Sequence, residues 1–396
     1  MQPIEIKRKI YWVGAVDWNL RDFHGYSTEK GSSYNAYLVV DEKTVLFDTV
    51  KAEFADDLIA NIKTITDPEK IDYIVVNHAE MDHTGSLPRI IELVKPEKVF
   101  CTAKGKESLI AHFHRKDWPF EIVKENDTLE IGQRSIRFLD SKMLHWPESM
   151  TSYIEQDQLL ICNDIFGQHW ATSERFDDEV DQGELHYQAA KYYANIFYPF
   201  SSPVQKFLAK LKEHGIKIEM LATDHGLIWR QDLNWIMDAY DRWSRHEARN
   251  KAVVVYATMW GSTRQMAREI AKGIASRDIS VQLLDLGICH RSDVITEALE
   301  ARAVILGSSV LNNGILPVMA DLLSYMKGLR PGNKLGAAFG SYGWADKGVK
   351  ILNEALAEMK FELISDGVSS NYVPTPAVLD DCFQFGADIA KAIRAE

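Results

Sequence analysis

A chain of 396 residues is too long for one ordinary hydrophobic core, so two domains are expected. Its 57 acidic against 45 basic residues give a formal charge of −12, which sets nucleic acid and anionic membrane aside as partners. No apolar run approaches the ~18 residues that span a bilayer, and the charged opening Met1–Ile10 has no apolar stretch behind it, so neither a membrane span nor an export signal is expected.

Strand-like runs come first: Ile10–Gly14, Ser33–Val40 and Thr44–Val50, the last two joined as a hairpin through Asp41-Glu42-Lys43. A helical pattern over Glu53–Ile65 precedes Ile71–Val76, whose β-branched and aromatic residues suit a strand buried on both faces. That run stops at Asn77-His78-Ala79-Glu80-Met81-Asp82-His83-Thr84-Gly85, ahead of a helical pattern over Leu87–Val94. Two imidazoles and two carboxylates thus crowd the end of a rigid element. Without a cation, Glu80 and Asp82 would repel each other across the loop. The plain alternative is a polar loop with Asp82 as a helix cap, but histidines and carboxylates interleaved this densely are far from ordinary loop composition. Alternate residues of an extended segment point opposite ways, so the loop has room for two ions.

The strand–helix alternation resumes with Lys98–Cys101 and a helix over Gly105–Phe113, on which His112 and His114 share no face. Three more ligand-type residues follow, each at the end of a strand-like run or in a fixed loop. His145 precedes Pro147 after the strand Ser135–Leu139, Asp164 ends Leu159–Asn163, and His225 sits in Leu221-Ala222-Thr223-Asp224-His225-Gly226. Singly, each reads more readily as a cap or a buried imidazole; jointly they complete a set of seven. Hairpins followed by β-α units predict two sheets with helices packed outside, an α+β sandwich. Tyr193, in the helical stretch Gly183–Phe197, is a candidate donor to a bound species, and His24 a candidate cavity residue, beside their plainer readings as packing and loop residues.

The aromatic-rich helix Leu233–Trp243 gives way to the polar Ser244–Lys251, which places a domain boundary and divides the chain into 1–248 and 252–396. Beyond it, strands are expected at Ala252–Ala257, Ser280–Leu284, Ala303–Gly307, Leu335–Phe339 and Glu362–Ile364, with helices between them including Arg264–Arg277 and Met319–Lys327. This is the pattern of a doubly wound parallel sheet that binds its ligand at the carboxyl ends of the strands. The first such loop, Thr258-Met259-Trp260-Gly261-Ser262-Thr263, resembles the phosphate loop of flavodoxins, where hydroxyls and helix-start amides wrap a phosphate without a basic side chain. Two more loops, Ser308-Ser309-Val310-Leu311-Asn312-Asn313-Gly314 and the stretch holding Ser341, Tyr342, Gly343 and Trp344, resemble the isoalloxazine loops of that family. The resemblance implies FMN, since no dinucleotide G-x-G-x-x-G follows a strand.

The His78–His83 loop resembles the H-x-[HE]-x-D-H motif of the metallo-β-lactamase superfamily, with its αββα sandwich. It places Glu80 where the zinc hydrolases usually have histidine. Together with the flavodoxin-like half, this resembles the flavodiiron proteins, which reduce dioxygen or nitric oxide. The resemblance implies a di-iron centre, with His78, Glu80 and His145 on one iron, Asp82, His83 and His225 on the other, and Asp164 bridging them. It also implies a head-to-tail homodimer, with further assembly into a tetramer left open. Four scattered cysteines with no C-x-x-C pair exclude a built-in rubredoxin module and are expected as reduced thiols of a cytoplasmic protein. Electrons are therefore expected from a separate rubredoxin-like donor, with reduced deazaflavin coenzyme as the rival. Two other readings stay open at the level of sequence: a zinc hydrolase fused to an electron-transfer flavodoxin, and a flavin redox sensor with a vestigial metal site.

Overall fold

The computed structural model describes residues 1–395 and forms two compact units. Met1–His24, Thr28–Tyr193 and Phe200–Asp241 make up the first, while Gly25–Ser27, Ala194–Pro199 and the chain from Arg242 on make up the second.

Two sheets form the first unit. One runs in the order Ile4–Lys7, Ile10–Trp12, Tyr37–Val39, Val45–Phe47, Tyr73–Val75, Lys98–Cys101, Phe120–Ile122. It is antiparallel through its hairpins and parallel from Val45–Phe47 onward, where helices supply the crossovers. The other runs Thr128–Glu130, Ser135–Asp140, Met150–Ile154, Leu159–Ile161, Met220–Ala222. Period-two alternation decides which side chain faces which layer. Val45, Phe47 and Val75 join Phe138, Met150, Ile161 and Ala222 in the core between the sheets. Leu46, Ile74 and Val99 instead join Leu58 and Ile62 of the helix Ala55–Ile65, and Ile90 and Val94 of the helix Leu87–Val94. Both faces of the inner strands are therefore apolar, which gives the expected αββα sandwich.

One expected element divides. Ser33–Val40, read as a single strand, is two: Ser32–Tyr34 pairs with Ala15–Asp17, and Tyr37–Val39 enters the large sheet. Asn35 makes the break. Its backbone N–H donates to Asp224 O at 2.7 Å, its Nδ2 donates to Thr223 O, and its Oδ1 accepts from Trp12 Nε1, so no ladder partner is left for it.

The second unit is a parallel sheet ordered Ser280–Asp285, Arg249–Ala257, Ala301–Leu311, Leu335–Tyr342, with Glu362–Leu363 and Val368–Asn371 both pairing with the last of these. The single expected strand Glu362–Ile364 is thus only the first of two short pieces, separated by a bend at Gly367, whose φ is +94°. Helices Ser262–Ala275 and Pro376–Arg394 cover one face and pack backbone to backbone. A Cβ at Gly386 would lie 2.1 Å from Ile270 O, so only glycine permits the approach. Among the described residues no helix is long and apolar enough to cross a membrane.

Candidate functional site

The turn after Tyr73–Val75 is fixed before any ligand-type residue appears. Asn77 donates its backbone N–H and its Nδ2 to the Asp48 carboxylate, both at 2.8 Å, and accepts from Ser152 Oγ on its Oδ1. Glu80 then begins the short helix Met81–Thr84, with Thr84 Oγ1 donating back to Glu80 O at 2.8 Å. Glu80 therefore sits on extended backbone, with His78 ahead of it outside the helix, and Asp82 and His83 on a helical turn, which sends the two pairs in different directions. Leu159–Ile161 and Met220–Ala222 lie side by side in parallel register, and Asp224 N–H donates to Asn163 O at 2.9 Å, so Asp164 and His225 emerge together.

All seven expected ligand residues converge, as two groups. His78, Glu80, His145 and Asp164 form one and Asp82, His83 and His225 the other, with the ligand atoms of each group within 4.8 Å of one another. Asp164 faces both. Its Oδ2 lies 3.2 Å from Nε2 of His78 and of His145, and its Oδ1 lies 3.1 Å from His83 Nε2 and 3.3 Å from His225 Nε2. Glu80 Oε2 closes the first group at 3.3 and 3.2 Å from His78 and His145, and Asp82 Oδ2 the second at 3.2 Å from His225.

These residues fit a pair of cations. Both carboxylate oxygens of Asp82, both ring nitrogens of His83, and Asp164 Oδ1 are buried without a well-formed hydrogen bond, a costly arrangement unless something else binds them. Burial by itself would raise the Glu80 carboxyl, but His145, His24 and His78 hold it well below the usual carboxylate range. Burial would likewise lower His83, yet the charges of Asp82 and Asp164 push it up to about 9. The anions thus draw positive charge onto this spot, and a metal competes with protons for it. Imidazole with hard carboxylate oxygen suits iron.

An outer ring of residues holds the imidazoles. His78 Nδ1 donates to Glu148 Oε1 at 2.9 Å and His225 Nδ1 to Ser33 O at 2.7 Å. Glu148 was not expected, although it lies three residues beyond His145 in the same Pro147 loop; Ser33, on a strand, gives no signal in the sequence. His24 sets its Nε2 3.2 Å from Glu80 Oε1 and, with Phe23, Lys51, Asp82, His145 and Trp146, lines a cavity of about 700 Å³ that reaches the first group. Tyr193 departs from expectation. Its ring stands edge-on to Tyr240 at 4.8 Å and Ser201 is the partner of its hydroxyl, whereas the hydroxyl of the preceding Tyr192 is the one that meets Asp164. The helix Gln182–Tyr192 ends in a wider turn over Tyr193–Phe197, and one residue of helix turns a side chain by about 100°. His169, unassigned from the sequence, packs 4.7 Å from the His225 ring and bonds Ser32 Oγ at 2.7 Å.

In the second unit, a cavity of about 420 Å³ opens at the carboxyl edge of the sheet, on the side of the topological switch. Met259, Trp260, Ser262, Ser309–Asn313 and Ser341–Trp344 line it as expected, joined by Ala345 from the same loop and by Tyr372 and Val373, which were not expected. Thr258, Gly261, Thr263, Ser308 and Gly314 support its walls. Thr258 Oγ1 accepts from Gly261 N–H at 3.1 Å, and Gly261, at φ +88°, turns the chain into the helix Ser262–Ala275. Thr263 Oγ1 lies 2.9 Å from both Ser309 Oγ and Ser341 Oγ, tying the three loops together. Ser308–Leu311, read as loop, continues the strand Ala301–Leu311, and Asn312 and Asn313, both at positive φ, form the tight turn into Gly314–Ile315. Trp260 and Trp344 stand 93% and 90% exposed at its rim, broad faces with nothing stacked on them among the described residues.

Comparison with known proteins finds a family model described as ODP family beta lactamase over residues 33–226 and a flavodoxin model over residues 254–386. A protein of Moorella thermoacetica named nitric oxide reductase is 48% identical, over 99% of each chain. The solved structure of the rubredoxin oxygen:oxidoreductase of Desulfovibrio gigas is 43% identical and superposes with a TM-score of 0.97 over 100% of this chain and 99% of that one. The flavodiiron protein of Giardia intestinalis, at 34% identity, superposes equally well, with a TM-score of 0.97 over 100% and 97%.

Proposed function

This chain belongs to the flavodiiron proteins, and on that premise we propose that it is an oxidoreductase that reduces dioxygen to water, nitric oxide to nitrous oxide, or both. It carries FMN and two irons. The observation that carries the reading is Asp164, whose two oxygens address two separate ligand groups. We assign His78, Glu80 and His145 to one iron, Asp82, His83 and His225 to the other, and Asp164 to both. When bound, the irons and the flavin supply the electrons, two for a pair of nitric oxide molecules and four for dioxygen.

The remaining work falls to the chain. Four imidazoles and three carboxylates, shared between two positions, leave each short of a full octahedral set, so a diatomic gas has somewhere to bind. Phe23, Met81 and Trp146 give the cavity mouth an apolar rim that admits a small neutral molecule, while Lys51 and His24 bring polar hydrogens to the same opening. The Tyr192 hydroxyl, on Asp164, steadies the shared carboxylate. In the second unit, Ser262 and the free amides that begin the helix Ser262–Ala275 suit the single phosphate of FMN, and Trp260, Trp344 and Tyr342 offer faces for its ring.

With no paired thiolates in the chain, a rubredoxin-like protein is the donor we propose. We further propose a cytoplasmic homodimer in which the exposed aromatic rim of the flavin cavity meets a second copy head to tail. The test is direct. Purified protein is assayed for iron and FMN, then supplied with reduced rubredoxin and each gas in turn. Two irons and one FMN per chain, with rapid consumption of at least one gas, is the expected result. Fully loaded and reduced protein that consumes neither gas overturns the proposal.

A further inference from the structure

The ligand imidazoles differ in what holds their far nitrogen. For His225 it is a backbone carbonyl, Ser33 O at 2.7 Å, and for His83 the nearest carboxylate, Asp224 Oδ2, stands off at 3.7 Å. For His78 it is a carboxylate at full hydrogen-bond distance, Glu148 Oε1 at 2.9 Å. Glu148 is held in turn. The same oxygen accepts from Ala79 N–H at 3.2 Å, its backbone carbonyl accepts from Thr102 Oγ1 at 2.9 Å, and its side chain is only 1% exposed. Its other oxygen, Oε2, is buried without a partner.

We propose that Glu148 is a positioning residue for His78 that makes the His78 position the tighter of the two iron sites. By accepting Nδ1–H it fixes the tautomer that leaves the Nε2 lone pair free for a cation at the position shared with Glu80 Oε2 and Asp164 Oδ2, which lie 3.3 and 3.2 Å from that nitrogen. An anion behind the ring also raises the ring's basicity, which neither a carbonyl nor a carboxylate at 3.7 Å does as strongly. The proposal rests on reading the seven residues as iron ligands.

A second cavity supplies the means to test it. It holds about 370 Å³ and is lined by Glu148 together with Lys104, Lys124 and Lys142 and the carboxylates Glu125 and Asp140, and it shares no lining residue with the mouth beside His24. A small carboxylate entering there finds cations and, once Glu148 is shortened, the place its carboxyl left. Iron binding is measured by anaerobic calorimetric titration and visible absorption on the FMN-replete protein and its variants. In Glu148→Ala one of the two irons binds about 10–100-fold more weakly, the usual effect of losing such a partner, while FMN content stays full. Millimolar acetate restores that iron in Glu148→Ala. Glu148→Gln, which keeps an acceptor without the charge, loses less and does not respond to acetate. An FMN-replete Glu148→Ala that binds both irons as the wild type does overturns the proposal, and so does an iron lost but not restored by acetate, which would make Glu148 a mere prop. Failure of the underlying reading looks different, because the wild type itself would then bind fewer than two irons.

Discussion

Asp164 Oδ1 lies 3.1 Å from His83 Nε2 across the boundary between the two ligand groups, while its other oxygen is engaged in the group that holds His78. The two residues come from different elements, Asp164 from the end of Leu159–Ile161 and His83 from the turn Met81–Thr84. A carboxylate so placed couples two sites. Asp164→Asn, which keeps the shape and removes the charge, is therefore expected to lower affinity for both irons, by more than the ~10–100-fold typical of an outer partner. Asp82→Asn is expected to affect only one. Metal analysis of the two variants, with FMN as the internal standard, distinguishes the cases.

Tyr192 and Tyr193 offer a paired comparison in which burial is nearly constant, at 1% and 0% exposure. Tyr192 reaches Asp164, and Tyr193 packs on Tyr240. A hydrogen bond to a charged group contributes about 1.5–3 kcal/mol, so if it strengthens during turnover, Tyr192→Phe lowers kcat by roughly tenfold or more. Tyr193→Phe leaves turnover close to wild type. Steady-state gas consumption under one donor measures both.

That contrast shows what the sequence could and could not display. The convergence of the seven candidate ligand residues was legible because strand ends are where parallel and mixed sheets present polar side chains, and His78-x-Glu80-x-Asp82-His83 is too dense in ligand types to be an ordinary loop. The parallel sheet of the second unit was legible because β-α alternation leaves few topologies open. Helical phase was not. Choosing Tyr192 over Tyr193 required knowing where the helix widens at Tyr193–Phe197, which depends on tertiary packing and not on local propensity. The break at Asn35 was hidden for the same reason, because its partners Asp224 and Thr223 lie far along the chain. Tyr372 and Val373 escaped notice because they reach the flavin cavity from beyond a strand too short to announce itself.

Gly261 isolates the conformational contribution of the phosphate loop. A Cβ there would meet nothing within 4 Å, so the only obstacle to Gly261→Ala is its φ of +88°. Placing an L-residue in that region costs about 1–2 kcal/mol, which predicts FMN binding weakened by roughly five- to thirtyfold. Titration of apoprotein with FMN, followed by flavin fluorescence, reads the change. Iron content should not move.

Lys334 ties stability to pH. It is 2% exposed, and its Nζ donates to Leu299 O at 3.0 Å and Ala301 O at 2.6 Å, with no carboxylate among the described residues at hydrogen-bond distance. Burial, reinforced by the charges of Arg302 and Lys251 and opposed by Glu300, pushes its ammonium down from 10.5 to about 7. The folded chain therefore releases this proton near pH 7, while the unfolded chain keeps it until about 10.5. Between those values the unfolded state holds more protons, so this lysine makes stability rise with pH, by up to ~1.4 kcal/mol per pH unit. Below about pH 7 both states are protonated, the full cost of the buried charge is present, and the slope vanishes. Lys334→Met removes the titration along with two hydrogen bonds to buried carbonyls. The stability difference between wild type and Lys334→Met, from urea unfolding monitored through the second unit, is therefore expected to be flat below pH 7. From pH 7 to 10 it should grow steadily in favour of the wild type; a difference that stays flat across that interval would show that Lys334 does not titrate there.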